Sequence, residues 1–192
     1  MPDSPLILAS ASPRRRELLD FCGIPFTVLA AAVDESPHPD EPSADYVRRV
    51  AHDKAAAVHA QHPGAFVLGA DTAVIVDGRI LGKPADAIKA RAMLRDLSGR
   101  IHKVYSAVAL LGPDGRRRER LNVTEVEFAV LPETWIDSYV SSGDCMDKAG
   151  SYGIQNEAGL WIRRLSGSYT GVVGLPLFET NDLLREAGLL AV

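Results

Sequence analysis

Short apolar runs alternate along the chain with stretches in which apolar residues recur every three or four positions. That mixture of strand and helix periods marks an α/β protein. Strands are predicted near residues 6–9, 26–30, 65–70, 73–76, 103–111 and 121–130, and helices near 13–22, 43–60, 86–97, 133–142 and 177–187. Asp77-Gly78, between Val74-Ile75-Val76 and Arg79-Ile80-Leu81, reads as a tight hairpin, as does Gly112-Pro113-Asp114-Gly115. Antiparallel pairs must therefore be present, and a mixed sheet is expected. Pro37, Pro39 and Pro42 mark a loop ahead of Ser43, which is positioned to cap the long second helix. A loop there is suited to cover a cleft.

The first predicted helix begins against its own electrostatics. In Ser10-Ala11-Ser12-Pro13-Arg14-Arg15-Arg16, Ser12 reads as the N-cap and Pro13 as the first helical residue. That helix end carries about half a positive charge, so each added cation costs on the order of 0.3 to 1 kcal/mol if exposed. A polyanion resolves the conflict, because free backbone N–H groups, serine hydroxyls and guanidinium forks would all converge on phosphate oxygens. On these residues alone, arginines splayed into water are the competing reading.

Composition narrows the choice. The 192 residues suit one domain, or two small lobes sharing a core, and a net charge of −4 argues against a general nucleic-acid binder. Any anion site must be local. Only five of the 21 cationic residues are lysine: Lys54, Lys83, Lys89, Lys103 and Lys148. Cys22 and Cys145 form no C-x-x-C pair and read as reduced thiols, and the five histidines show no zinc-type spacing. With no apolar segment of secretory or membrane-spanning length, a cytoplasmic protein without membrane contact is expected. The run Arg116-Arg117-Arg118-Glu119-Arg120 reads as a solvated strand edge and is assigned no function.

Phe66-Val67-Leu68-Gly69-Ala70-Asp71 reads as an apolar strand ending in a carboxylate, which would put Asp71 at a ligand crevice. Asp34-Glu35 adds an acidic pair. Carboxylates beside phosphates normally imply a divalent cation, and Mg²⁺ suits such oxygen ligands. Gly82-Lys83-Pro84 holds a rare lysine in a rigid segment where it can meet a phosphate as a point charge. Lys54 falls on the second helix, where an exposed lysine would be unremarkable. Asp147-Lys148-Ala149-Gly150-Ser151-Tyr152-Gly153-Ile154-Gln155 mixes small residues with a cation, a hydroxyl and an amide, and its glycines permit close backbone approach. Trp135-Ile136-Asp137-Ser138-Tyr139-Val140 is open to reading as core or as a dimer face.

Together these residues resemble the Maf family. Ser10-x-Ser12-Pro13-Arg14-Arg15, Asp34-Glu35, Lys54, Gly69-x-Asp71, Gly82-Lys83-Pro84, Lys148-Ala149-Gly150-x-Tyr152-x-Ile154-Gln155 and Val173-Gly174-Leu175-Pro176 occur in the family's order, over residues 5 to about 187. The resemblance implies one Maf-like domain over 1–192. Its expected fold is a mixed twisted sheet with flanking helices in two lobes around a cleft, like the inosine triphosphate pyrophosphatases and Ham1 proteins. It implies a nucleoside triphosphate pyrophosphatase using Mg²⁺ or Mn²⁺, and a homodimer. Asp71 matches the catalytic proton acceptor, Glu35 an acidic residue of the metal and catalytic site, and both are expected to hold the metal. Ser10, Ser12, Arg14, Arg15, Lys54 and Lys83 are expected to bind the triphosphate.

Family branches differ at positions matched by Arg14, Thr72 and Gln155, and this chain resembles the dTTP and UTP branch. A glutamine amide, with one acceptor and two donors, complements the N3–H and carbonyls of uracil or thymine, whereas a glutamate suits guanine's donors. Asn156 departs from the pattern, since many members carry glycine there. Two other readings are a pyrophosphatase for modified purine nucleotides and a nucleotide-binding regulator of septum formation without turnover.

Overall fold

Leu6-Ile7-Leu8 forms the first strand, β1, and buries all three side chains, as an apolar run in the middle of a sheet should. In the computed structural model, which describes residues 5–190, it is followed by α1 (Pro13–Asp20), β2 (Phe26–Val28), α2 (Ser43–His59), β3 (Phe66–Val76), β4 (Arg79–Leu81) and α3 (Ala87–Leu97). Then come β5 (Ile101–Leu111), β6 (Arg117–Phe128), α4 (Glu133–Ser141), β7 (Ile162–Ser166), α5 (Tyr169–Val173) and α6 (Leu177–Glu186). Residues 1–4 and 191–192 of the expected 1–192 domain lie outside the described residues.

The seven strands make one mixed sheet in the order β2-β1-β3-β5-β6-β7, with β4 paired to β3. β1 pairs with β2 and β3 in parallel, and the remaining pairs are antiparallel. One irregularity positions everything that follows. β5 covers one edge of β3 from Val67 to Ile75. On the opposite edge β1 covers only Phe66–Leu68 and β4 only Val74–Val76. Residues 69–73 of β3 therefore face a notch in the sheet, with Asp71 at its centre.

Helix α2 packs on one face of the sheet through Val47, Val50, Ala51, Ala55 and Val58, all buried. The approach is close because Gly69 has no side chain: a Cβ there would lie 2.2 Å from the Ala51 carbonyl oxygen and 2.8 Å from the Ala55 nitrogen. The opposite face carries two clusters. Leu8, Leu19, Leu68, Leu110, Leu183 and Leu184 are buried between sheet, α1 and α6. Val104, Phe128, Leu94, Leu97, Ile136 and Tyr139 are buried with α3 and α4. Each such side chain removed from water contributes roughly 1.5–3 kcal/mol before entropy is counted. The two helix groups flank the notch.

Several expectations need correction. Residues 65–70 and 73–76 belong to one strand, so Asp71 sits mid-strand rather than at a strand end. Ser43 is the first residue of α2 and Pro42 is its cap residue. The arginine run is the exposed edge expected at Arg116 and Arg117, since β7 covers only Glu125–Phe128 of β6, but Arg118 and Arg120 pair with Asp114, Asp182 and Glu186, leaving the Arg118 side chain 10% exposed. β7 and α5 were not predicted, because Ile162-Arg163-Arg164-Leu165-Ser166 carries only two apolar residues and α5 has five residues in all. Ile136, Tyr139 and Val140 prove to be core.

Candidate active site

The notch opens into a cleft of about 900 Å³. Ser10, Ser12, Arg14, Arg15, Glu35, Lys54, Asp71, Thr72, Lys83 and Gln155 all line it, so the residues expected to serve catalysis, metal, phosphate and base meet in one place. Arg16 is the exception within its motif. It turns toward a separate hollow beside Asp20 and Ile24, so the helix start commits two of its three arginines to the cleft.

At the centre Asp71 and Lys54 are both buried, and Lys54 Nζ donates to Asp71 Oδ1 at 2.9 Å. The same ammonium lies 2.9 Å from Glu35 Oε2. Asp71 Oδ2 is buried with no hydrogen-bond partner among the described residues. Burial pushes the Asp71 carboxyl above its ordinary pKa, against the opposing pull of Lys54 and Arg15. The site thus holds a carboxylate with one occupied oxygen, one free oxygen and raised basicity.

Lys54 was open to reading as an ordinary surface lysine. It occurs at the buried spacing of α2, with Val47, Val50, Ala51, Ala55 and Val58, and this periodicity is the signal that marks it as inward-facing. Sequence reasoning missed the two α2 residues that set the acidic loop. Tyr46 OH donates to the Glu35 carbonyl oxygen at 3.0 Å. Arg49 grips Glu41 with two bonds of 2.6 and 2.8 Å and donates to the Ser36 carbonyl at 3.0 Å. That fork holds the Glu41 carboxyl down to about 2. Glu35 is therefore presented to Lys54 by a strapped loop.

Around this centre the cations are held rather than splayed. Arg15 donates from Nε to the Gly174 carbonyl at 2.8 Å and reaches Ser10 Oγ and Thr72 Oγ1 at 3.5 Å each. Arg14 pairs with Asp147 at 3.0 Å. Ser12 has the extended backbone of a cap, but its hydroxyl makes no capping bond; its own N–H instead donates to Ser10 Oγ at 3.2 Å. No side chain caps α1, so its first turn remains available to an anion. Lys83 and Gln155 are exposed on the far wall, which β4 and the segment 149–155 build.

Among the described residues no three His, Cys, Asp or Glu side chains form a ready metal cluster. The donors present still fit a hard divalent ion. Asp71 Oδ2 is unpartnered and Glu35 stands beside it across Lys54, and such ions commonly take one or two carboxylates plus substrate phosphates.

Fold and cleft define an α/β protein whose sheet is interrupted to seat one carboxylate among cations. The sequence model of the Maf-like protein family matches residues 5–187, and the chain belongs to that family. It is 51% identical to a Bordetella parapertussis protein named dTTP/UTP pyrophosphatase, over 96% of this chain and 93% of that one. A Myxococcus xanthus protein of the same name is 52% identical, again over 96% and 93%. Among solved structures, a HAM1 protein from Coxiella burnetii superposes with a TM-score of 0.50 at 18% identity, covering 95% of this chain and 99% of that one, and shares the fold.

Proposed function

We propose that this chain is a nucleoside triphosphate pyrophosphatase that hydrolyses dTTP and UTP to the monophosphate and pyrophosphate. The names of the relatives support it, and one observation carries it: a buried, basicity-raised Asp71 at the centre of the notch, with one oxygen bonded to Lys54, one oxygen free, and Arg14, Arg15 and Lys83 lining the same cleft. Water attacks the α-phosphorus and the α–β anhydride bond breaks. Asp71 orients that water and accepts its proton; a raised pKa makes it a better base than an exposed aspartate. Arg14, Arg15, Lys54 and Lys83, with Ser10 and Ser12, hold the triphosphate and offset the charge that grows on the leaving pyrophosphate.

Glu35 and Asp71 would hold Mg²⁺ or Mn²⁺. When bound, such an ion supplies Lewis-acid polarisation of phosphate oxygens and a more acidic water. Arg14, Thr72 and Gln155 set the base preference, with the Gln155 amide facing the pyrimidine edge. A homodimer, a cytoplasmic setting and a part in restraining septum formation follow from the family resemblance. No described helix is long and apolar enough to cross a membrane.

Incubation of the purified chain with dTTP or UTP and a divalent cation tests the reading. Monophosphate and pyrophosphate in equal amounts are expected. Release of orthophosphate, or nucleotide binding without turnover across several metals, would overturn it.

A further inference from the structure

The turn carrying Gln155 is held at both ends by one carboxylate. Asn156 Nδ2 donates to Asp144 Oδ1 at 2.6 Å. At the other end the Gly153 N–H donates to Tyr139 Oη at 3.3 Å, and that hydroxyl donates in turn to Asp144 Oδ2 at 2.7 Å. The turn closes on itself through the Asn156 N–H and the Gly153 carbonyl at 3.1 Å. Its backbone follows Lys148 closely: a Cβ on Gly153 would lie 2.7 Å from Lys148 Cε. Lys148 Nζ donates to Asp144 Oδ1 at 3.1 Å and to Asp147 Oδ1 at 2.8 Å, and Asp147 Oδ2 accepts from Arg14 at 3.0 Å. One continuous polar chain therefore runs from Asn156 through Asp144, Lys148 and Asp147 to Arg14. Tyr139 and Lys148 are buried, so this scaffold is fixed by packing as well as by charge.

Gln155 itself makes no side-chain hydrogen bond to another described residue, and it faces the cleft. A glutamine amide alone distinguishes uracil from cytosine poorly, because half a turn about its last torsion exchanges acceptor for donor. Backbone groups cannot turn over in that way. Selectivity then depends on holding the turn so that only one combination of bonds to the base closes.

We propose that Asp144, acting through Asn156 and Tyr139, is the positioning device that fixes the Gln155 turn against the nucleotide base and so sets discrimination between uracil and cytosine. The inference rests on the nucleotide hydrolysis proposed above. Asp144, Asn156 and Tyr139 make no bond to Asp71 and do not line the cleft, so Asn156 and Tyr139 act on the base through the turn they hold.

The test compares kcat and KM for UTP and CTP in the unmodified chain, in Asn156→Ala and in Tyr139→Phe, with thermal melting of each. Asn156 is exposed and its backbone is extended (φ −106°), so its substitution leaves the fold intact. Both variants are expected to keep kcat for UTP within about twofold, to raise KM for UTP, and to lower the UTP-to-CTP ratio of kcat/KM by about tenfold. An unchanged ratio in Asn156→Ala would overturn the inference, whatever Tyr139→Phe does to stability. A fall in kcat with the ratio preserved would overturn it too. Absence of UTP hydrolysis by the unmodified chain would instead remove the underlying functional reading, so the two failures are separable.

Discussion

Lys54 Nζ sits 2.9 Å from Asp71 Oδ1, both groups buried, on opposite sides of the contact between α2 and β3. Two separate features of the sequence produce this pair. The apolar spacing of α2 turns Lys54 inward, and Gly69, two residues before Asp71 and on the same strand face, lets the helix approach near enough for the ammonium to reach the carboxylate.

Removing the cation should therefore expose the cost of the carboxylate. Lys54→Met leaves Asp71 buried and unpaired, and should destabilise the fold by about 3 kcal/mol at pH 8, since breaking a buried pair is costly. Protonation of Asp71 relieves that cost, so the deficit should shrink as pH falls. Loss of a neighbouring positive charge raises the Asp71 pKa further, and the acid limb of kcat/KM should move to higher pH. Chemical denaturation at several pH values, with a pH–rate profile, measures both. A limb that moves to lower pH would contradict the assignment.

Gly69→Ala tests how the pair is assembled. A Cβ 2.2 Å from the Ala51 carbonyl cannot be accommodated without moving α2. A loss of about 2–3 kcal/mol is expected from overpacking, together with a drop in turnover as Lys54 is carried away from Asp71. Unaltered stability would mean that α2 does not pack this closely on Gly69.

His102 gives a pH signature unrelated to catalysis. It is buried against Phe128, its Nε2 lies 2.7 Å from Tyr152 Oη, and burial lowers its pKa from 6.5 to about 4. The folded chain keeps this imidazole neutral while the unfolded chain protonates it. Its contribution is therefore full above pH 6.5 and is lost as pH falls toward 4. A shift of that size corresponds to about 3 kcal/mol across the window. His102→Gln, which keeps a hydrogen-bonding group but cannot titrate, should flatten the stability profile between those pH values.

Metal dependence should appear in catalysis but not in folding. Two carboxylates without a third protein ligand make a weak site until phosphate oxygens join them. EDTA is expected to stop turnover while leaving the melting temperature of the nucleotide-free chain unchanged within about 1 °C. A large EDTA-induced loss of stability would point to a prebuilt metal site instead.

The alternation of apolar runs and helical spacing located β1, α2, α3, α4 and α6, because those elements bury a continuous face, while α1, which buries only Leu18 and Leu19, was marked by Ser12-Pro13 at its start. It broke β3 in two because Asp71 and Thr72 interrupt the apolar run; they are tolerated mid-strand only where the neighbouring strand is missing, and a missing neighbour is not a local property of the chain. β7 escaped for a related reason: it is a short edge strand whose Arg163 and Arg164 are exposed. For the site, residue types and order were enough to nominate the cations and carboxylates. The hydrogen bonds of Tyr46, Arg49 and Asp144, which hold the acidic loop and the Gln155 turn, join residues 11 to 13 positions apart across loops, a spacing that matches neither the helix nor the strand period and left no pattern to read.

The most direct measurement is turnover of dTTP by Asp71→Asn beside its nucleotide affinity. The substitution keeps the shape of the side chain and removes the base. Binding of dTTP is expected to stay within a few-fold of the unmodified chain while kcat falls by at least about a hundredfold, the span expected for loss of a general base. A folded Asp71→Asn protein that retains kcat within about tenfold would contradict the base role of Asp71.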